Sequence, residues 1–249
     1  MSVETSRHGR VLVVQIARPE KRNALNEAVT LGIDAAMNEL EDDADLWCGV
    51  LTGGDSVFSA GADLSSGVGE PTERGGIVGL INRQRTKPLI GAAGGLALGG
   101  GLELLLACDL VVASRNAEFG LPEVKRGLMP DFGGAFRVAR YLPVNIAREM
   151  LITGDRISAE RAERLGFVNQ LCEPGEVLAT ALALAERICA NAPLAVREGL
   201  AIMNAELAAG EEASWERSHA AHARLLATED VREGVGAFFE KRSPRWRGR

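Results

Sequence analysis

Gly94-Gly95-Leu96-Ala97-Leu98-Gly99-Gly100-Gly101-Leu102-Glu103 is the stretch around which the chain is organised. Six glycines fall between Gly91 and Gly101, and Glu103 arrives as the apolar helical run Leu104-Leu105-Leu106-Ala107-Cys108 begins. Glycines let a ligand approach main-chain N–H groups closely. At a helix start those N–H groups lack internal partners and carry the positive end of the dipole, which favours negative charge. The pattern therefore predicts oxyanion donors with a titratable carboxylate, Glu103, one turn away. It is not a phosphate loop, because no Lys-Ser/Thr follows the glycines, and it does not fit G-x-G-x-x-G with an acid on a second strand. Close packing of a strand against a helix is the plainer reading.

On either side, strands and helices alternate. Val11 to Ile16 reads as a strand ended by Arg18-Pro19-Glu20-Lys21-Arg22-Asn23, and Asn26 as the N-cap of a helix running through Leu31, Ala35 and Leu40. Val50-Leu51-Thr52 closes a second strand, and residues 65–75 form a loop rich in Gly, Ser and Glu that is expected to be mobile. Ile77 to Arg85 reads as a helix, Pro88 to Ala93 as a buried strand and Leu110 to Ala113 as another. A helix through Tyr141 follows Pro130-Asp131-Phe132-Gly133-Gly134, and a strand near Phe167 to Leu171 interrupts later helical sequence. Helices over about 176–190, 194–209, 213–227 and 231–241 end the chain. This is an α/β chain with a helical C-terminal region.

The bulk properties narrow the function. The 249 residues carry 28 basic and 34 acidic side chains, a net charge of −6 that speaks against a nucleic-acid binder. The four cysteines are widely spaced and read as reduced core residues, not bridges or metal ligands. The polar start, Met1 to Arg10, argues against a signal peptide, and the longest uncharged run, Pro88 to Leu102, is too short to span a membrane. A soluble, cytoplasmic protein is expected. His219 and His222 read as helix-surface residues, and no metal is expected. The basic end, Lys241 to Arg249, reads as a solvated tail. Glu123 after Pro122 is of interest only if it meets Glu103, because two carboxylates in an apolar pocket would divide acid and base roles. Asp131 by itself reads as a turn or N-cap residue.

Taken together, Phe58-Ser59-Ala60-Gly61-Ala62-Asp63-Leu64, Gly99-Gly100-Gly101-Leu102-Glu103 and Phe119-Gly120-Leu121-Pro122-Glu123 resemble the crotonase superfamily of enoyl-CoA hydratases and isomerases. The likeness runs from Arg18-Pro19-Glu20-Lys21-Arg22-Asn23-Ala24-Leu25 to Phe238-Phe239-Glu240-Lys241. The resemblance implies a crotonase-like spiral of β-β-α units over residues 1–190 and a helical oligomerisation region over 191–249, in trimers or hexamers. It implies an acyl-CoA thioester substrate, with coenzyme A as part of the substrate and no separate cofactor. By position, the N–H groups of Ala62 and Gly100 form the oxyanion hole, and Glu103 and Glu123 match the two hydratase carboxylates. Lys21, Arg22 and Ala24 border the CoA, Ala60, Asp63 and Leu64 line the adenine and pantetheine path, and Gly99 and Pro122 join the substrate-binding set. Phe238 and Lys241 match C-terminal residues that reach CoA, in several members from a neighbouring subunit. Two departures stand out: Ala93 where many relatives have Asn, and Asp131 where typical hydratases have glycine. An acid at that place occurs in dienoyl-CoA isomerases, in some ring-modified enoyl-CoA isomerases and in carnitinyl-CoA dehydratase-like enzymes. Enoyl-CoA hydration is the leading reading. Double-bond isomerisation through Glu123 and Asp131, carnitinyl-CoA dehydratase-like chemistry and a non-catalytic acyl-CoA-binding role follow it.

Overall fold

In the computed structural model, which describes residues 2–248, the elements of the first half are β1 (Val3–His8), β2 (Val11–Ile16), α1 (Glu27–Asp42), β3 (Cys48–Thr52), β4 (Val57–Ser59), β5 (Leu89–Ala93), β6 (Leu96–Leu98), α2 (Gly100–Leu106), β7 (Leu110–Ser114) and β8 (Glu118–Gly120). There follow α3 (Gly134–Tyr141), α4 (Val144–Thr153), β9 (Arg156–Ser158), α5 (Ala159–Arg164), β10 (Gln170–Cys172), α6 (Val177–Cys189), α7 (Pro193–Ala208), α8 (Glu211–Leu226) and α9 (Glu229–Phe239). A six-stranded sheet has the order β1-β2-β3-β5-β7-β10 and a four-stranded sheet the order β4-β6-β8-β9. Successive strands β3/β4, β5/β6 and β7/β8 alternate between the sheets, so each turn of the chain adds one parallel strand to each. That repeated step is the spiral expected from the resemblance.

Period-2 patterning explains why the large sheet is buried on both faces. Leu12, Val14, Leu51, Leu89, Ala93, Val111 and Ala113 face the main core. Their alternates Val11, Val13, Val50, Ile90, Ala92 and Val112 pack against Val177, Ala181, Leu184 and Ala185 of α6. Asn26 caps α1 as the sequence predicts, its side chain accepting from the Val29 N–H. Helix α7, by contrast, buries none of its residues.

Several expectations change. The polar start of the chain is a strand, β1, which pairs antiparallel with β2 through backbone bonds that need no apolar side chains. The helix expected over Ile77–Arg85 is only a 3-10 turn, Ile77–Gly79. The chain turns sharply there, with Gly76, Val78 and Gly79 at positive φ, and Arg83 is drawn onto α1 by Asp34 at 2.5 Å and Asn38 at 2.8 Å. The loop over 65–75 is pinned to α1: Thr30 Oγ1 donates to Val68 O, Thr72 to Asp34, and Arg74 pairs with Asp42. The basic tail folds back onto α9, where Arg242 pairs with Glu233, and the Arg245 and Arg247 N–H groups donate to Glu233 and Asp230. Among the described residues, no single helix is long and apolar enough to cross a membrane.

Candidate active site

Two main-chain loops meet at the start of α2. Gly99 is the N-cap, at φ 55° and ψ −128°, a conformation reserved for glycine. Gly61, at φ 95°, packs so closely that a Cβ there would lie 2.8 Å from the Leu98 carbonyl oxygen and 3.3 Å from the Gly100 nitrogen. The strand-like segment at Leu25 fixes the first loop: the Leu25 N–H donates to Gly61 O and the Asp63 N–H to Leu25 O. This leaves the intervening Ala62 N–H outside that ladder, while the Gly100 N–H lies in the first turn of α2, where a helix offers no acceptor. The juxtaposition is what an oxyanion hole needs.

Glu103 lies one turn into α2 and is only 1% exposed. Its Oε1 accepts from the Phe132 N–H at 2.8 Å and the Gly134 N–H at 2.7 Å, so the turn ahead of α3 orients the carboxylate. Bonds of this kind are worth roughly 1.5–3 kcal/mol each. Burial nevertheless outweighs them, and with the nearby Glu123 carboxylate it pushes the Glu103 pKa well above the ordinary range. Glu123 sits in the 3-10 turn Pro122–Arg126, and a Cβ on Gly99 would lie 2.8 Å from its Oε1. Burial raises Glu123 to about 7, with Asp131 adding to the rise and Arg126 opposing it. Its Oε2 is buried without a hydrogen-bond partner. Glutamates far apart in sequence thus form one site, as the sequence required if Glu123 was to matter.

Asp131 joins them. It precedes the Gly133 N-cap of α3, so it is a turn residue and does not cap the helix. Burial raises its pKa, and His222 of α8 is the largest of the influences that oppose the rise. His222 Nδ1 lies 3.4 Å from Asp131 Oδ2. The expectation that His222 is a surface residue is therefore corrected: α8 packs over the turn at 131–134 and half-buries it, while His219 stays exposed. The spacing Trp215, His219, His222 places all of them on one helix face, a signal that could have disclosed this.

The loop carrying Lys21, Arg22 and Ala24 runs along the Ala60–Asp63 segment, where the Ala60 N–H donates to Arg22 O. Lys21, Arg22 and Ala60 are exposed, whereas Ala24, Asp63 and Leu64 are half-buried. Asp63 is held below the ordinary carboxylate range, first by the Ser65 hydroxyl and further by Arg18 at 3.4 Å. Phe238 is stacked on the Arg126 guanidinium at 4.4 Å in a cleft shared with Leu98 and Pro122. Lys241 is exposed beyond the end of α9. Among the described residues, no group of three or more His, Cys, Asp or Glu side chains has an arrangement fit to hold a metal ion.

Known proteins share this architecture. The chain is 40% identical over 247 residues to a mevalonyl-coenzyme A hydratase of Aspergillus fumigatus, covering 95% of this chain and 91% of that one. It is 36% identical to a short-chain-enoyl-CoA hydratase of Clostridium acetobutylicum, covering 97% of this chain and 95% of the relative. The solved structure of a carnitinyl-CoA hydratase from Mycobacterium avium superposes with a TM-score of 0.95 at 41% identity, covering 100% and 99% of the two chains. The family model described as enoyl-CoA hydratase/isomerase matches residues 6–249. With this match over a two-sheet spiral that brings Glu103 and Glu123 together, the chain belongs to the enoyl-CoA hydratase/isomerase family.

Proposed function

We propose that the protein reversibly adds water across the double bond of a 2-enoyl-CoA thioester. The observation that carries this reading is the buried Glu103–Glu123 pair beside the Ala62 and Gly100 N–H groups. These two N–H groups donate to the thioester oxygen and stabilise the enolate-like state; losing one such donor typically costs on the order of 10²–10³ in rate. Glu103, oriented through Oε1, directs a water to the β-carbon and takes its proton. Glu123, whose pKa lies near neutrality, delivers a proton to the α-carbon. The new C–O bond forms at the β-carbon, the new C–H bond at the α-carbon, and the carboxyl pair exchanges a proton to reset.

Coenzyme A enters as part of the substrate, and no separate cofactor takes part. Its nucleotide end runs past Lys21, Arg22, Ala60 and Leu64. The protein assembles as a homotrimer or hexamer through the uncovered apolar side chains of α7, Leu194, Ile202, Met203 and Leu207, which would also carry Phe238 and Lys241 toward a neighbour. Its unpaired cysteines suit a cytoplasmic setting.

Incubation with crotonyl-CoA and a longer 2-enoyl-CoA tests the reaction. Loss of the conjugated-thioester absorbance with a gain of one water in product mass is expected, with strong impairment in Glu103→Gln and Glu123→Gln. A product of unchanged mass favours the second reading, isomerisation, which the closeness of Asp131 to Glu123 supports.

A further inference from the structure

Glu123 and Arg126 share the 3-10 turn Pro122–Arg126 and stand three residues apart. Such a turn repeats every three residues, so their side chains lie over one another. Each holds a buried atom without a hydrogen-bond partner, Glu123 Oε2 and Arg126 Nε. The Arg126 side chain folds back along its own turn: Nη1 donates at 3.3 Å to Pro122 O, the carbonyl of the peptide that enters Glu123. The cations around it have carboxylates of their own, Lys125 with Asp155, Arg156 with Glu118 and Arg242 with Glu233. Among the described residues Arg126 forms no ion pair, and Glu123 is the carboxylate that favours its charged form.

Helix α9 keeps that guanidinium in place. The Phe238 ring covers it at 4.4 Å, within reach of a cation–π contact. The helix comes this near because each side of the joint carries a glycine. A Cβ on Gly234 would collide with Arg126 O, and one on Gly127, at φ 71°, would lie 2.8 Å from Asp230 O. The other charged groups of the joint are engaged or exposed. Asp230 accepts from the Arg247 and Gly248 N–H groups, and Glu233 from Arg242 and the Arg245 N–H. On α4, Glu149 pairs with Arg161, and Arg148, like Arg232 of α9, is exposed. From the core, Glu103 and Asp131 face Glu123 with like charge, and Arg156 opposes Arg126. We infer that Arg126 is a positioning residue for Glu123: it supplies the counter-charge behind the reacting carboxylate, and Phe238 of α9 holds it there. This rests on the hydration reading for the role of Glu123, whereas the effect of the charge is readable without turnover.

Reversible hydration needs one proton on the Glu103–Glu123 pair, so kcat/KM is bell-shaped in pH and its limbs report the pair. A positive charge nearby favours ionised carboxylates, so its loss moves both limbs up. In Arg126→Met the bell for crotonyl-CoA should move to higher pH by roughly one unit. Arg126→Lys, which keeps the charge, should move it less than half as far. Phe238→Leu, which frees Arg126 without removing it, should move it part of the way in the same direction. A merely structural role lowers the rate at every pH and leaves the bell in place. In parallel, carbon-13 NMR of the glutamate-labelled free enzyme follows the Glu123 carboxyl, assigned with Glu123→Gln, and its midpoint should rise in the same order. A bell or midpoint that stays put or falls in Arg126→Met, or rises as far in Arg126→Lys, overturns the role. If Arg126→Met does not fold, an unmoved midpoint in Phe238→Leu overturns it. If crotonyl-CoA gains no water even with the wild type, yet the midpoint rises as stated, the counter-charge stands and the hydration reading is lost.

Discussion

The spiral core and helix α7 treat apolar side chains in opposite ways. In the core Phe58, Phe119, Leu25 and Met37 are sealed from solvent. On α7, Leu194 is 69% exposed and Ile202 68%. The core can close on itself because each spiral turn covers the previous one with a strand in both sheets. Helix α7 follows the last strand and has no later turn to cover it. The difference teaches that the loops at Gly61 and Gly99 and the Glu103 side chain sit in the closed part of the fold, while α7 leaves its apolar side chains uncovered.

The largest expected effect lies within the core. Glu103→Gln should lower kcat on the order of 10²–10⁴-fold with the fold intact, read by steady-state kinetics beside circular dichroism. Equal turnover would detach the buried carboxylate from the chemistry. Phe119→Ala removes a sealed ring in edge contact with Phe167 at 5.2 Å. It should cost about 3–5 kcal/mol in urea unfolding. A loss near zero would mean that the core is less closed than its burial implies.

A smaller effect concerns Glu123, whose pKa of about 7 lies above the 4.5 of an ordinary glutamate. Between those values the native state binds more protons than the unfolded chain, so the contribution of Glu123 to stability falls as pH rises through that window. Between pH 5 and 8 the wild type should lose roughly 2–3 kcal/mol more than Glu123→Gln. Parallel denaturation curves at the two pH values check this, and a more stable wild type at pH 8 would reverse the sign. Smallest for the single chain is Ile202→Asp on α7, expected to change monomer stability by about 0.5 kcal/mol or less. The same change should reduce the assembled mass in light scattering. Unfolding by this substitution would remove the contrast between the two regions.

Much of the core was legible because alternating apolar residues in short strands have one meaning in an α/β chain, as in Val11 to Ile16. The cap at Asn26 and the helix after Pro130-Asp131-Phe132-Gly133-Gly134 were legible for similarly local reasons. β1 was not, because all its side chains but Val3 are exposed and its place in the sheet rests on backbone pairing with β2. The segment from Ile77 to Arg85 misled because its apolar residues serve a tight turn anchored by Arg83. His222 was overlooked because its spacing from Trp215 marks a shared helix face but not which element packs against that face.

The amino-acid order by itself determined the alternation of strands and helices, the glycine-rich entry to α2 and the place of Glu103 one turn inside it. These follow from backbone sterics and periodicity within a few residues. The tertiary structure alone decided that Glu123 approaches Gly99, that two N–H groups at the start of α3 grip Glu103, and that His222 faces Asp131. Those contacts depend on which sheet each strand joins and where α8 lands. The resulting burial sets the carboxylates' proton affinities, a property of the enclosed space that no local stretch carries.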